Sequence, residues 1–216
     1  MNIGNLYATP YAEVVHPDAA RLCVELQELF LDCEKQGDKY LNKTQRDAQN
    51  GQLFESTFDL FYWQNKAVQE LRDFCHLSLA TLLKQVSDYT DEEFSKLNFD
   101  YHAWFHVTRK GGYQGLHNHP NASWSGIFCV NPGDDIPESP ESGSVRFHDP
   151  RNGANYYSDA GSDRWKYPFN IGGRKIQHQP GKLFLFPSFL NHEIFPYEGE
   201  KQPRIVVAFN SWIKNS

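Results

Sequence analysis

The chain has 216 residues, of which 39% are hydrophobic and 22% charged, and its formal net charge is −6. These values are those of a globular protein that can bury a core, in one domain or in one domain with an extension. The chain has no basic stripe, which argues against a nucleic acid or an anionic membrane surface as a partner. It also has no apolar run approaching the roughly 18–20 residues of a transmembrane helix.

The N-terminal sequence and the cysteines indicate the compartment. The first residues lack a basic region followed by an apolar one, so no secretory signal is predicted. The cysteines are widely spaced and form no Cys-x-x-Cys pair, which favours free thiols in a reducing environment. We therefore predict a cytoplasmic protein with four free thiols, at Cys23, Cys33, Cys75 and Cys129.

Residues 1–97 are predicted to be a helical N-terminal extension. Apolar residues recur every three or four positions from 17 to 35 and again from 64 to 87, which is the spacing of amphipathic helices. The acidic run at 91–93 favours the first turn of a short third helix. Residues 42–63 are polar and then aromatic, and we expect a loop that packs over a β-sheet.

Residues 98–216 are predicted to be a β-rich core. Short apolar segments alternate with clusters of Gly, Pro, Asn and Asp, and aromatic residues make up 15% of the chain. This pattern favours an antiparallel sandwich or barrel of the jelly-roll kind. The predicted fold is thus mainly β with N-terminal helices (α+β), in one compact domain. The segments are YHAWFHVTR, SGIFCV, GSVRFHD, KLFLFPS, EIFPY and PRIVVAFNSW.

A His-x-His pair is the first candidate site. Residues i and i+2 of a strand share one face, so His117 and His119 can present both rings to one metal ion before Pro120 ends the strand. Histidine pairs at this spacing are also common without a metal. The candidate third ligand is His192, which follows a strand-like run and can become a neighbour of the pair in a rolled sheet. Three such ligands would leave open positions for substrate and O₂.

Two acidic residues are alternative candidates for a metal ligand, and one arginine is a candidate for binding a carboxylate. Glu193 neighbours His192 and should point to the opposite face of an extended chain, and Asp149 could approach only through a folded-back loop. Arg204 lies in an otherwise apolar strand. It either faces solvent at an edge or points inward to hold a carboxylate with two hydrogen bonds.

The order of these motifs resembles a known family. The strings GGYQGLHNHP, SGIFCV, SGSVRF, QPGKLFLFPSFLNHEIFP and PRIVVAF resemble the Fe(II)- and 2-oxoglutarate-dependent oxygenases, and more narrowly a bacterial and phage-type subgroup of them. The resemblance covers roughly residues 98 to 213 and implies a double-stranded β-helix (jelly roll, cupin-like) packed against helices.

The resemblance also implies roles for individual residues. His117 and His192 match the two histidine ligands of Fe(II), and His119 stands where the family normally has an aspartate. Arg204 matches the residue that binds the distal carboxylate of 2-oxoglutarate. The implied reaction is the hydroxylation of an unknown small molecule or peptide with O₂, with no catalytic residue beyond the metal ligands.

Two departures from the family pattern leave alternatives open. An imidazole at position 119 leaves the metal site one unit more positive than a carboxylate would. Val206 stands near the position where many relatives have a hydroxyl as second cosubstrate anchor. Candidate replacements are Gln114, Tyr101 and Ser125.

Three alternative functions remain open. One is a three-histidine, cupin-type dioxygenase that needs no 2-oxoglutarate. Another is a non-enzymatic jelly roll that binds a metal or ligand, and the last is an interaction domain with incidental histidines.

Overall fold

The structure is a computed structural model that describes residues 1–44 and 52–215. The predicted loop over residues 42–63 therefore lies partly outside the described residues. The helices are α1 (Ala19–Lys35), α2 (Lys66–Val86) and α3 (Asp91–Ser95). The strands are β1 (Ala12–Val15), β2 (Leu53–Glu55), β3 (Leu97–Thr108), β4 (Gln114–His117), β5 (Trp124–Asn131), β6 (Val145–Phe147), β7 (Arg174–Ile176), β8 (Lys182–Pro187), β9 (His192–Ile194) and β10 (Arg204–Asn215).

The strands form two antiparallel sheets. The larger has the order β1-β8-β5-β10-β3-β2, and the smaller has the order β4-β9-β6-β7. Strands distant in sequence are neighbours, as β3 and β10 are over twelve paired positions. This arrangement is the double-stranded β-helix that was predicted, and the helices pack against it.

The helices cover one face of the larger sheet. The buried stripe of α1 includes Leu22, Leu26 and Phe30, and the ring of Phe30 stacks on Phe105 of β3 at 4.2 Å between centroids. Asn65 caps α2 by accepting hydrogen bonds from the N–H groups of residues 67 and 68. Because side chains alternate along a strand, the even-numbered residues of β3 face the interior between the two sheets.

The core reflects this alternation. One apolar cluster lies between the helices and the larger sheet, with Phe105, Val107 and Phe209 among its members. A second cluster lies on the inner side, with Phe147 and Phe186 among its members. The inner cluster surrounds the region where the histidines meet.

Three strands were not predicted. β1 and β2 come from the first 97 residues and form the two edges of the larger sheet, so this segment is not helical throughout. β7 follows a long turn-rich segment and pairs with β6. These strands have only three or four residues, which is too few to show an alternation in the sequence.

All four cysteines are buried free thiols. Among the described residues, no helix is both long enough and apolar enough to cross a membrane.

Candidate active site

The two histidines furthest apart in sequence meet through strand pairing. β4 pairs with β9, and His117 is the register partner of His192. Their ring centroids lie 4.3 Å apart. On its other edge β9 pairs with β6, where Phe147 is the partner of His192. The position of these rings is therefore set by the ladder of the smaller sheet.

The third histidine completes the cluster. The ring of His119 lies 5.3 Å from that of His117 and 5.4 Å from that of His192. One ligand nitrogen from each of the three side chains lies within 4.8 Å of the others. His192 is buried, whereas His117 and His119 are half-buried. Three imidazoles at this range form a donor set that suits a divalent transition metal.

Two of the rings have their tautomers fixed by nearby carbonyl groups. The Nδ1 atom of His117 lies 2.7 Å from the carbonyl oxygen of Gly115, and that of His192 lies 3.0 Å from the carbonyl oxygen of Leu190. A carbonyl oxygen can only accept, so Nδ1 carries the proton in both rings and the lone pair is on Nε2. In both cases the carbonyl belongs to the residue two positions earlier.

The electrostatics of His192 also favour ligation. Burial, together with the neighbouring His117 and His119, holds the pKa of His192 well below its ordinary value. The ring is therefore neutral near pH 7, which is the form that binds a metal. It is backed by the ring of Phe186 at 5.0 Å between centroids.

His119 lies just beyond the strand, which corrects the prediction that the strand continues to Pro120. β4 ends at His117 because the chain turns after residue 119. The N–H of His119 instead donates to the carbonyl oxygen of Ser188. The Ser188 hydroxyl bonds that of Ser125 at 2.8 Å. The loop that carries His119 is thus held through Ser188.

Neither of the two acidic candidate ligands joins the cluster. Glu193 forms an ion pair with Arg146 and lies 2.9 Å from Nε2 of His148, on the other face of β9. Burial raises the pKa of the Glu193 carboxyl group, but the hydrogen bonds with His148 and Arg146 outweigh it, so the pKa is lowered overall. Asp149 pairs with Arg151, which lowers the pKa of the Asp149 carboxyl group to about 2. The described residues therefore present an all-imidazole site.

Arg204 is buried at the start of β10, with 2% of its surface exposed. Its Nη2 atom lies 2.6 Å from Nε2 of His178, and its Nε atom has no hydrogen-bond partner among the described residues. Burial lowers the pKa of Arg204 to about 10, partly offset by Cys129 and Tyr197. A buried guanidinium without a counter-ion is costly, so this environment suits a bound carboxylate.

Gln114 lies on the inner side, in a polar network that leads towards the imidazoles. Its Nε2 atom is 3.4 Å from both ring nitrogens of His106. Trp104 Nε1 lies 3.1 Å from His106 Nε2, and Glu55 Oε2 lies 2.9 Å from the same atom. The ring of Trp104 is 6.1 Å from that of His119.

The other two anchor candidates have different surroundings. Tyr101 lies on the opposite face of β3, in the core below the helices, where its hydroxyl is 2.8 Å from Nδ1 of His76. Tyr101 therefore does not contact the inner side, contrary to the expectation. Ser125 does face inward, but its hydroxyl is bonded to Ser188 and donates to Asn210.

Thr108 and His178 lie next to Arg204 but are not among the site residues predicted from the sequence. Thr108 shares the inner face of β3 with His106, and this spacing of two was the available signal. His178 sits in a short polar segment before Pro180 and carries no readable pattern. A cavity of about 280 Å³ adjoins His178 and is lined mainly by the acidic, Pro-rich loop at residues 132–144.

Comparison with known proteins identifies the family. Residues 102–210, just over half of the chain, match the family model described as "Putative 2OG-Fe(II) oxygenase". The chain belongs to this family. The oxygenase accordingly uses Fe(II) as cofactor and 2-oxoglutarate as cosubstrate, and it consumes O₂. A comparison with curated proteins finds no match.

Solved structures support the same fold. A prolyl-4-hydroxylase of Pseudomonas putida is similar with a TM-score of 0.61 and 14% identity, over 96% of the oxygenase and 94% of that chain. A Trichoplax adhaerens prolyl hydroxylase in complex with a hypoxia inducible factor peptide is similar with a TM-score of 0.59 and 11% identity, over 94% of the oxygenase and 83% of that chain. The epimerase SnoN from nogalamycin biosynthesis is similar with a TM-score of 0.56 and 11% identity, over 94% of the oxygenase and 76% of that chain.

Family membership decides between the functions that the sequence left open. The oxygenase is an enzyme, and its family uses 2-oxoglutarate. This is contrary to a cosubstrate-free dioxygenase and to a non-catalytic jelly roll. The three imidazoles fit this chemistry, and so does the buried guanidinium of Arg204, which has no carboxylate partner among the described residues.

Proposed function

We propose that His117, His119 and His192 hold the Fe(II) ion of this oxygenase, and that Arg204 binds the distal carboxylate of 2-oxoglutarate. The observation that carries the proposal is the buried guanidinium of Arg204, because the inner side that holds three imidazoles also holds a cation whose Nε–H has no partner among the described residues. Buried charges in proteins are paired or bind a ligand of opposite sign.

The spacing along the strands supports this assignment. Arg204 pairs with Thr108, and Ala208 pairs with Trp104, whose ring contacts that of His119. Four residues of strand separate these two rows by about 13 Å. An extended arginine side chain and a five-carbon dicarboxylate together can bridge a gap of this order.

The role of the chain is to bind and orient the metal ion, the cosubstrate and the substrate, and to exclude water. When bound, Fe(II) and 2-oxoglutarate supply the oxidation, in which O₂ and 2-oxoglutarate are converted to succinate and CO₂ and one oxygen atom enters the substrate. The imidazoles offer neutral lone pairs at positions fixed by the strand ladder. Phe147 and Phe186 pack against His192 and exclude water from its inner side.

The substrate is proposed to be a small molecule or a peptide with an apolar contact surface. Phe189 lies in the loop just before His192 and has 56% of its surface exposed. Asn118 donates from Nδ2 to the carbonyl oxygen of Phe189, which links this loop to the segment between His117 and His119. A large exposed apolar side chain beside a binding site favours contact with an apolar group.

The proposed compartment is the cytoplasm. Four buried free cysteines support a reducing environment, because disulfides form in oxidising compartments and are rare in the cytosol.

The proposal is tested by succinate release that depends on O₂, Fe(II) and 2-oxoglutarate. We expect Arg204→Ala to raise the KM for 2-oxoglutarate by at least about 100-fold, because the buried carboxylate loses its charged partner. The matched control is Arg109→Ala, since Arg109 is half exposed and pairs with Glu34 away from the site. An equal KM for 2-oxoglutarate in the Arg204→Ala variant and the wild type would exclude the assigned role of Arg204.

A further inference from the structure

The guanidinium of Arg204 is held from one side only. Its Nη2–H donates to His178 Nε2 at 2.6 Å, while its Nε–H is buried and has no partner among the described residues. No ion pair of Arg204 with a carboxylate occurs in the part of the chain that the structure describes. A second group facing the same space would be placed to share a bound anion with it.

His178 acts as a hydrogen-bond acceptor in this contact. A guanidinium can only donate, so Nε2 of His178 must carry its lone pair towards Arg204 and Nδ1 must carry the proton. The ring is therefore neutral and adds no second positive charge beside Arg204. In agreement, burial and the charges of Arg204 and Lys182 hold the pKa of His178 well below its ordinary value.

The Arg204 side chain is confined on a further side by a glycine. An added Cβ at Gly143, which has a φ of +63°, would lie 2.7 Å from Cδ of Arg204. The backbone at Gly143 and the acceptor on His178 together restrict where the guanidinium can lie. Its remaining hydrogen-bonding edge is thereby directed to one region of the interior.

Thr108 lies next to that region. It is the register partner of Arg204 across β3 and β10, and directly opposed residues have Cβ atoms about 4.5–5.5 Å apart. Its Oγ1 atom is buried and has no hydrogen-bond partner among the described residues. An added Cβ at Gly112 would lie 2.5 Å from Cγ2 of Thr108, so the methyl group points to the backbone there.

The geometry points to Thr108 and His178 as two residues that complete the cosubstrate site, an inference that rests on the proposed role of Arg204. Thr108 supplies the second hydrogen bond to the distal carboxylate of 2-oxoglutarate, and His178 is a positioning residue that fixes the guanidinium by accepting from Nη2. Thr108 thereby takes the place of the hydroxyl that Val206 cannot provide.

The test is the dissociation constant of 2-oxoglutarate, measured without turnover from the visible charge-transfer band of its chelate with Fe(II) in the absence of O₂. Thr108→Val removes the hydroxyl at constant shape, and Thr108→Ser keeps it. We expect the constant to rise by about 10-fold or more in Thr108→Val and by less than about threefold in Thr108→Ser. The same band at saturation shows whether Fe(II) binding is intact.

His178 is tested by a second matched pair. Gln places an acceptor where Nε2 of the imidazole stands, and Leu does not. We expect His178→Leu to raise the dissociation constant by about 10-fold or more, and His178→Gln to restore it to within about threefold of wild type. A purely structural role would not distinguish Gln from Leu when both variants bind Fe(II) and melt cooperatively.

The outcomes separate this inference from the proposed function. If Thr108→Val and His178→Leu bind 2-oxoglutarate like the wild type while Arg204→Ala does not, the inference is wrong and the role of Arg204 stands. If Arg204→Ala also binds like the wild type, both are wrong. Should His178→Leu fail to fold, the Thr108 pair decides alone, since tight binding by Thr108→Val would by itself overturn the inference.

Discussion

His117 and His192 are directly opposed in the antiparallel ladder of β4 and β9, with 4.3 Å between their ring centroids. Both rings donate from Nδ1 to a backbone carbonyl oxygen, so both direct the lone pair of Nε2 away from the strand. Two proposed ligands that are 75 positions apart in the sequence are thus fixed by main-chain pairing.

Removing either of these proposed ligands should strongly weaken metal binding. We expect His192→Ala and His117→Ala to weaken the affinity for Fe(II) by more than about 100-fold, since loss of an outer-sphere partner alone costs about 10- to 100-fold. The measurement is metal content after anaerobic dialysis against Fe(II). His148→Ala is the control, because His148 bonds Glu193 and is not part of the cluster. Full metal content in His192→Ala would refute the ligand set.

His119 offers a different experiment, because the family normally has an aspartate at its position. We expect His119→Asp to keep the metal and to bind Fe(II) more tightly, since a carboxylate lowers the charge of the site by one unit. His119→Ala should lose affinity by at least about tenfold. Titration of the metal-free protein with Fe(II) measures both. If His119→Ala binds Fe(II) like the wild type, His119 is not a ligand.

Gly143 should be sensitive to a single methyl group. Gly143→Ala places a Cβ 2.7 Å from Cδ of Arg204 at a φ of +63°, and we expect it to weaken 2-oxoglutarate binding by about tenfold by displacing the guanidinium. Gly37→Ala is the control, because Gly37 has a φ of +58° with open space around it. Both variants should lose about 1 kcal/mol of stability from backbone strain, and only the first should lose affinity. Equal affinities would show that Gly143 does not confine Arg204.

The stability of the metal-free protein should fall in mild acid. The pKa of His178 is held well below its ordinary value by burial and by the charges of Arg204 and Lys182, so His178 takes up a proton on unfolding once the pH is below about 6.5. The unfolded state then binds more protons than the folded state. The free energy of unfolding therefore decreases as the pH falls, by up to about 1.4 kcal/mol per pH unit for this group.

The contribution of His178 can be isolated with His178→Gln. Urea unfolding between pH 7 and pH 5 should show a shallower dependence on pH in this variant than in the wild type. His192, whose pKa is lowered mainly by burial, acts in the same direction but is present in both proteins. Identical slopes would mean that His178 is not kept neutral by the fold.

The parts of the site that the sequence predicted are those with a local signature. The spacing of His117 and His119 implies a shared face, and Arg204 stands out in an apolar strand. Tyr101 shows the limit of prediction from the sequence. Alternation places Tyr101 on the opposite face of β3 from His102 and His106, but it does not say which face is the interior. The helices settle that question by covering the Tyr101 side.

The remaining parts depend on tertiary contacts. His178 matters only because a long connection returns its ring to Arg204, and Thr108 only because β3 and β10 pair in one register. The edge strands β1 and β2 form because the larger sheet offers them partners. The spacing of two between His106 and Thr108 indicates a shared face. The pairing partners themselves have no pattern in neighbouring residues, so they could not be predicted from the chain alone.

The carbonyl groups of Gly115 and Leu190 have one more consequence. Each fixes the tautomer of the histidine two positions later, without help from a distant side chain. The Nε2 atoms of these two histidines are consequently oriented before any ion binds. Metal binding then requires no rearrangement of these two side chains. Cobalt, nickel or zinc will compete with iron for the site whenever they are more abundant during purification.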